Sequence, residues 1–157
     1  MKKCELRKLC EGELVRRHEQ WLRKWHARPS ADMRPGRSLT ALLREQHFCN
    51  HSLWGLEDQA RRRDVPATHI AKTKRGIDKW NQRRNDMMER LDLHTLASLG
   101  NPVSPRAPLH SESFGIMLDR LSIISLKLRH MRINASRRDD ADLAVECARR
   151  CAVLEEQ

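Results

Sequence analysis

The stretch Lys74–Asp92, KRGIDKWNQRRNDMMERLD, decides how the fold is read. With about 100° between successive residues of a helix, Lys74, Asp78, Asn81, Gln82, Asn85, Glu89 and Asp92 share one stripe. Ile77, Trp80, Met87, Met88 and Leu91 share the adjoining arc. Arg84 falls inside that arc, where a solvated arginine has no reason to be. A helix of this kind buries its apolar arc against other helices. An arginine carried in with it needs a partner.

The stretch predicts a third helix running from Pro66 to about Leu99. Proline suits a first helical turn, and Gly100-Asn101-Pro102 is a stop. Gly76 weakens the helix by about 1 kcal/mol relative to alanine, unless it marks a close helix crossing. Upstream, residues 39–63 predict the second helix, with Ser38 as its N-cap. Leu39, Leu42, Cys49, Leu53 and Ala60 form its apolar side. His47, Asn50, Trp54, Glu57 and Arg61 line one edge of that side, with Asp58 just beyond. The helix is expected to end near Asp64-Val65-Pro66, because a residue before proline is pushed out of the helical region.

Residues 2–27 predict a first helix, with Leu6, Cys10, Leu14, Trp21 and Trp25 on one side. A basic helix bearing tryptophan can lie on an anionic membrane. Here Glu5, Glu11, Glu13 and Glu19 interrupt the basic face, which favours docking on the bundle. Residues 28–37 carry two prolines and a glycine and predict a loop. Residues 112–134 predict a fourth helix whose apolar side chains cover nearly its whole circumference, placing it at the bundle centre. Asp119 and Arg120 are then expected in the interior or a cleft. Residues 136–157 predict a C-terminal packing helix, or a contact in a homo-oligomer, with Asp139 as N-cap and Asp142 in the first turn.

The chain is therefore expected to be all-α: a single bundle of about five helices with a buried polar seam. Residues 1–37 form a basic N-terminal helix and Pro/Gly loop, 38–135 the core, and 136–157 the packing helix. The absence of Tyr and the presence of only two Phe residues do little for strands. The net charge is +10, and residues 1–37 hold eleven Lys or Arg against five acids. That excess attracts anions or simply confers solubility. Five cysteines without a CxxC pair read as reduced thiols. The start, MKKCELRKLCEGEL, lacks the apolar region of a signal peptide, and no run approaches a transmembrane span. A soluble, cytoplasmic protein is expected.

Three blocks then carry a resemblance. The first is Asn50-x-x-Leu53-Trp54-x-x-Glu57-Asp58-x-Ala60-Arg61. The second is Lys74-Arg75-x-Ile77-Asp78-x-x-Asn81-Gln82-x-Arg84-Asn85-Asp86, continued by Glu89 and Asp92. The third is Ser111-Glu112-Ser113-x-Gly115-x-Met117-x-Asp119-Arg120-Leu121-Ser122-Ile123, followed by Lys127, His130 and Met131. Over about residues 40–135 the chain resembles the bacterial domain-of-unknown-function family 4254. The resemblance implies an all-helical bacterial protein. Family genes often neighbour glycosyltransferases and lipopolysaccharide or surface-glycan assembly genes, so a glycosyltransferase or other glycan-assembly protein is the implied partner. The resemblance supplies neither an activity nor a cofactor. The chain departs from the family pattern at Gly55 and Phe114.

Three helices bring polar groups to the edge of an apolar face. The candidate ligand-binding seam is Asn50, Trp54, Glu57, Asp58, Asp78, Asn81, Arg84, Asn85, Asp119 and Arg120. One outcome is a structural network in which Arg84 and Arg120 bridge the acids and fix helix register. The other is a pocket between helices. A pocket built on Arg84, Arg120, Asn81 and Asn85 suits a phosphorylated sugar or nucleotide sugar. One built on Glu57, Asp58, Asp78 and Glu89 suits a divalent cation and phosphate-ester or nucleotide hydrolysis, although a paired Glu-x-x-Glu pattern is missing. His47 and His51 stand one turn apart without a third ligand, and read as packing or solvent-facing rather than as a metal site. Cys49 reads as a small core residue. Arg61-Arg62-Arg63 and Arg83-Arg84, with the basic arm, allow nucleic-acid contact, but no reading motif accompanies them.

Overall fold

The computed structural model describes residues 12–27, 36–99, 104 and 106–156. It is all-α, with five helices and no strand among the described residues: α1 Leu14–Ala27, α2 Leu39–Ala60, α3 Ala67–Leu99, α4 Phe114–Ala135 and α5 Ala141–Glu155. The residues before 12, including Leu6 and Cys10, lie outside the described residues.

Helix α1 buries Leu14, His18, Leu22 and Trp25, at spacings of four, four and three. These residues form one stripe, and it packs against α4 and α2. The apolar face is therefore docked on the bundle. Helix α2 starts at Ser38, whose hydroxyl accepts from the Ala41 N–H at 3.3 Å. It ends at Ala60, three residues before the expected 63. The reason is local. The Arg61 and Arg62 N–H groups donate to Asp58 and Gln59, three residues back, and tighten the last turn. The Arg62 guanidinium then forks onto Asp64 at 3.0 and 2.6 Å.

Helix α3 begins just after Pro66, whose carbonyl accepts from His69 and Ile70. Its 33 residues make a rod about 50 Å long. It returns along α2, its most extensive partner. Only Thr73, Ile77, Met87, Leu91 and Thr95 are buried. Gly76 faces Leu56 with room for a methyl group at ordinary contact, so it does not mark the closest crossing. That place belongs to Gly115 on α4, where a Cβ would run into the Met88 carbonyl and lie 3.0 Å from Asp92 Oδ2. Asp92 in turn accepts the Gly115 N–H at 2.7 Å and caps the start of α4, beside the N-cap Ser113.

Helix α4 touches all four other helices, as expected of the centre. It is not buried all round, however. Ile116, Met117 and Ile133 remain exposed near its two ends. Arg120 is exposed as well and pairs with Glu112. The expectation that Arg120 enters the interior is thus corrected: it stands next to Asp119 in sequence, a third of a turn away around the helix. Helix α5 packs on α4 through Cys147 and Cys151, both buried free thiols. Its N-cap is Asp140, which accepts the Leu143 N–H at 2.9 Å. Asp139, the expected cap, is engaged by Arg137 at 3.0 and 2.6 Å. No described helix is long and apolar enough to cross a membrane.

Candidate functional site

The seam begins at Asp119, which is only 3% exposed. Arg84 grips its carboxylate with two groups, Nε at 2.9 Å and Nη2. Asn50 Nδ2 adds a bond at 2.9 Å, and Gln46 Nε2 adds another. Arg84 therefore sits in the apolar arc because α4 supplies a buried carboxylate to meet it. Such a bidentate, charge-assisted pair is the strong form of this contact, and the amides fill the remaining lone pairs.

The network continues inward. Asn50 Nδ2 also donates to Ser122 Oγ at 3.0 Å, and Ser122 bonds His47 Nδ1 at 2.7 Å. His47 stacks on His18, with ring centroids 4.0 Å apart and planes 17° apart. His18 Nδ1 meets Ser125 Oγ at 2.9 Å. Ser125 gives its own proton to the Leu121 carbonyl at 2.9 Å, so His18 Nδ1 carries the hydrogen in their shared bond. Burial holds His18 down at about 3 and His47 well below its ordinary value. His51, beside Trp25 and His26, is lowered to about 4, chiefly by burial. These histidines are neutral bundle interior. His47 is thus a packing residue rather than a solvent-facing one.

Above this base opens a cleft of about 250 Å³ between α2, α3 and α4. Asn50, Trp54, Glu57 and Asp58 line it from α2, Arg61 from the cap that follows α2, and Asn81 and Arg84 from α3. Leu53, Ile123 and Leu126 complete its wall. Glu57 and Asn81 are half-buried here and make no hydrogen bond or ion pair among the described residues. Asp58 and Arg61 pair loosely at 3.6 Å. Trp54 stacks on His130 of α4, with centroids 4.3 Å apart and planes 10° apart.

Of the ten candidate residues, six line the cleft: Asn50, Trp54, Glu57, Asp58, Asn81 and Arg84. Asp119 anchors Arg84 and Asn50 behind them. Asp78, Asn85 and Arg120 do not join, because all three are exposed. The polar stripe of α3 is wider than the strip that α2 and α4 cover. Glu89 is exposed too, so the four acids suggested as a cation site are not assembled. No group of three or more His, Cys, Asp or Glu side chains among the described residues is placed to hold a metal ion. The paired arginines are largely committed to acids: Arg62 to Asp64, Arg83 to the buried Glu45 at 2.8 Å, and Arg84 to Asp119.

Sequence reasoning missed Gln46, Ser122, Ser125 and His18 as members of the network. A signal was present. Ser122 and Ser125 are small polar residues inside the otherwise apolar run from Leu121 to Leu126, and Gln46 precedes Asn50 by one turn.

A family model for a protein of unknown function, DUF4254, matches residues 40–157. The chain belongs to the DUF4254 family. The match runs through α5, beyond about residue 135 where the sequence resemblance stops, so in this DUF4254 chain the packing helix is part of the family domain. The matched span contains the cleft and the Asp119 cluster with Arg84, Asn50 and Gln46, while α1, which brings His18 to the network, precedes it. Comparison with curated proteins and with solved structures finds no match.

Proposed function

We propose that this DUF4254 chain binds a phosphorylated sugar in the cleft between α2, α3 and α4. The observation that carries this is the pair Glu57 and Asn81, half-buried polar side chains that face the cleft without a partner among the described residues. A carboxylate and an amide so placed suit the donors and acceptors of sugar hydroxyls. Trp54 offers an apolar ring edge beside Leu53, Ile123 and Leu126, and an apolar and aromatic wall with a few convergent polar groups is the usual composition of a small-ligand site. Arg61 is exposed and only loosely held by Asp58. Arg84 has Nη1 unbonded among the described residues. These two cations suit a phosphate. The surface-glycan setting implied by the family resemblance is one in which such ligands and a glycosyltransferase partner occur.

The test is a thermal-shift panel of glucose 1-phosphate and UDP-glucose, with and without Mg²⁺, on the full chain. A ligand bound only by the folded state raises its stability by mass action. Stabilisation by either compound is expected, and its loss in both Asn81→Ala and Glu57→Gln, whose unliganded melting temperatures stay close to that of the parent. No shift at millimolar concentration, or a shift that survives both substitutions, overturns the proposal. A shift that requires Mg²⁺ moves the interpretation toward metal-assisted phosphate chemistry.

A further inference from the structure

A second cavity, about 550 Å³, lies between α4 and α5 and shares Trp54 with the cleft. Its chemistry differs. Trp54, Met131, Val153 and Leu154 provide an apolar floor. Lys127, Arg149 and Arg150 stand at its edge with a single acid, Glu146. Arg150 already neutralises Glu146, at 2.7 Å. Lys127 and Arg149 pair with no acid among the described residues, so the rim carries two uncompensated positive charges. Apart from these charged groups and the Trp54 indole, the lining has no hydrogen-bonding side chain. It offers no amide or hydroxyl to read the edge of a base or a sugar.

An apolar floor with a cationic rim complements an apolar body with an anionic end. We infer that this groove takes the hydrocarbon chain of an amphiphilic phosphate ester, with the phosphate held by Lys127 and Arg149. Resting on the sugar-phosphate proposal for the adjoining cleft, the ligand of the whole surface is then a sugar joined to a hydrocarbon chain through two linked phosphates, one for Arg61 and Arg84 at the cleft and one for Lys127 and Arg149 at the groove. The sugar lies on the polar side of Trp54 and the chain on its apolar side. The dimensions agree. Glu146, Arg149, Arg150, Val153 and Leu154 follow one face of α5, over about 12 Å of helix, a match for an extended chain of roughly eight carbons. The lysine and arginine stems add apolar cover while their charged ends stay in water.

The test uses octyl phosphate and hexyl phosphate as monomers, below their micelle-forming concentrations, with octanol, inorganic phosphate and glucose 1-phosphate as comparators. Binding to the full chain is followed by calorimetry. Octyl phosphate is expected to bind at least about tenfold more tightly than octanol or inorganic phosphate. Its advantage over hexyl phosphate is about four- to fifteenfold, because each buried methylene contributes up to about fourfold. Val153→Glu, and separately Lys127→Glu with Arg149→Glu, each weaken octyl phosphate by about tenfold or more. All three positions are exposed, so the fold tolerates the changes. Octyl phosphate that binds no better than inorganic phosphate overturns the inference, as does binding that ignores both variants. If glucose 1-phosphate binds while octyl phosphate does not, the groove inference falls and the cleft proposal stands. If octyl phosphate binds as described while glucose 1-phosphate does not, the cleft proposal falls and the groove remains a site for a phosphorylated hydrocarbon.

Discussion

Acid should loosen this bundle at a pH where most proteins are still comfortable. The cause is the stacked pair His18 and His47, which are 1% and 0% exposed. Burial lowers His18 from 6.5 to about 3 and His47 well below 6.5. The folded-state values lie below those of the unfolded chain. The unfolded state therefore binds more protons once the pH falls below about 6.5. Stability is full above that value and declines as the pH drops, until His18 itself charges near 3. Protonating one ring also makes the second proton costlier, because the rings are stacked at 4.0 Å. Between pH 7 and pH 5 each buried histidine costs about 2 kcal/mol, about 4 kcal/mol for the pair as an upper figure. A domain of this kind has a total of about 5–15 kcal/mol. Carboxylates of ordinary pKa add their losses mainly below about pH 5. The assay is urea unfolding at pH 7.5, 6.5, 5.5 and 5.0. With a slope of about 2 kcal/mol per molar urea, the midpoint should fall by up to about 2 M across that range from the pair, and by up to about 1 M more from His51, which burial holds at about 4. In His18→Leu the fall should be smaller by about a third, because His47 and His51 still resist protonation while Ser125 keeps its bond to the Leu121 carbonyl. A midpoint that is the same at pH 7.5 and pH 5.0, or an undiminished fall in His18→Leu, refutes the reasoning.

Asp119→Ala should lower stability by about 2–4 kcal/mol, because it orphans Arg84 and Gln46 and leaves Asn50 only its bond to Ser122; the figure is moderated because the Arg84 side chain keeps 27% of its surface in water. Calorimetric melting checks it, and a loss below that of an average surface substitution would mean that Asp119 does not organise the seam. Two glycines should respond in opposite directions to alanine. Gly115→Ala forces α3 and α4 apart at Met88 and should cost about 1–3 kcal/mol or more. Gly55→Ala meets nothing within 4 Å on an exposed helix face and should stabilise by about 0.5–1 kcal/mol. The Cys49 thiol, which burial pushes up to about 12, should resist iodoacetamide at pH 8 in the native protein and react only on unfolding. Alkylation of Cys49 at the rate of a free thiol would contradict its place in the core.

Much of this protein is legible in its sequence because helices are written locally. Ser38 and Ser113 serve as caps through bonds three residues away. Pro66 and the Gly100-Asn101-Pro102 stop act on their own neighbours, and the arc of α3 follows from the helical period alone. The conflict of Arg84 with that arc was also visible, and it announced a buried partner. Tertiary structure decided which acid that partner is. Asp119 and Arg120 are adjacent in sequence, yet the rotation of α4 against α2 and α3 sends one inward and leaves the other on Glu112 in water. The same packing separates Asn81, at the cleft, from Asp78 and Asn85 on the exposed side of one stripe. It also stacks His18 on His47 across 29 positions of chain. Periodicity states which residues share a face of one helix. Which part of that face meets another helix depends on crossing positions set by contacts such as Gly115 against Met88, and those are properties of the assembled bundle.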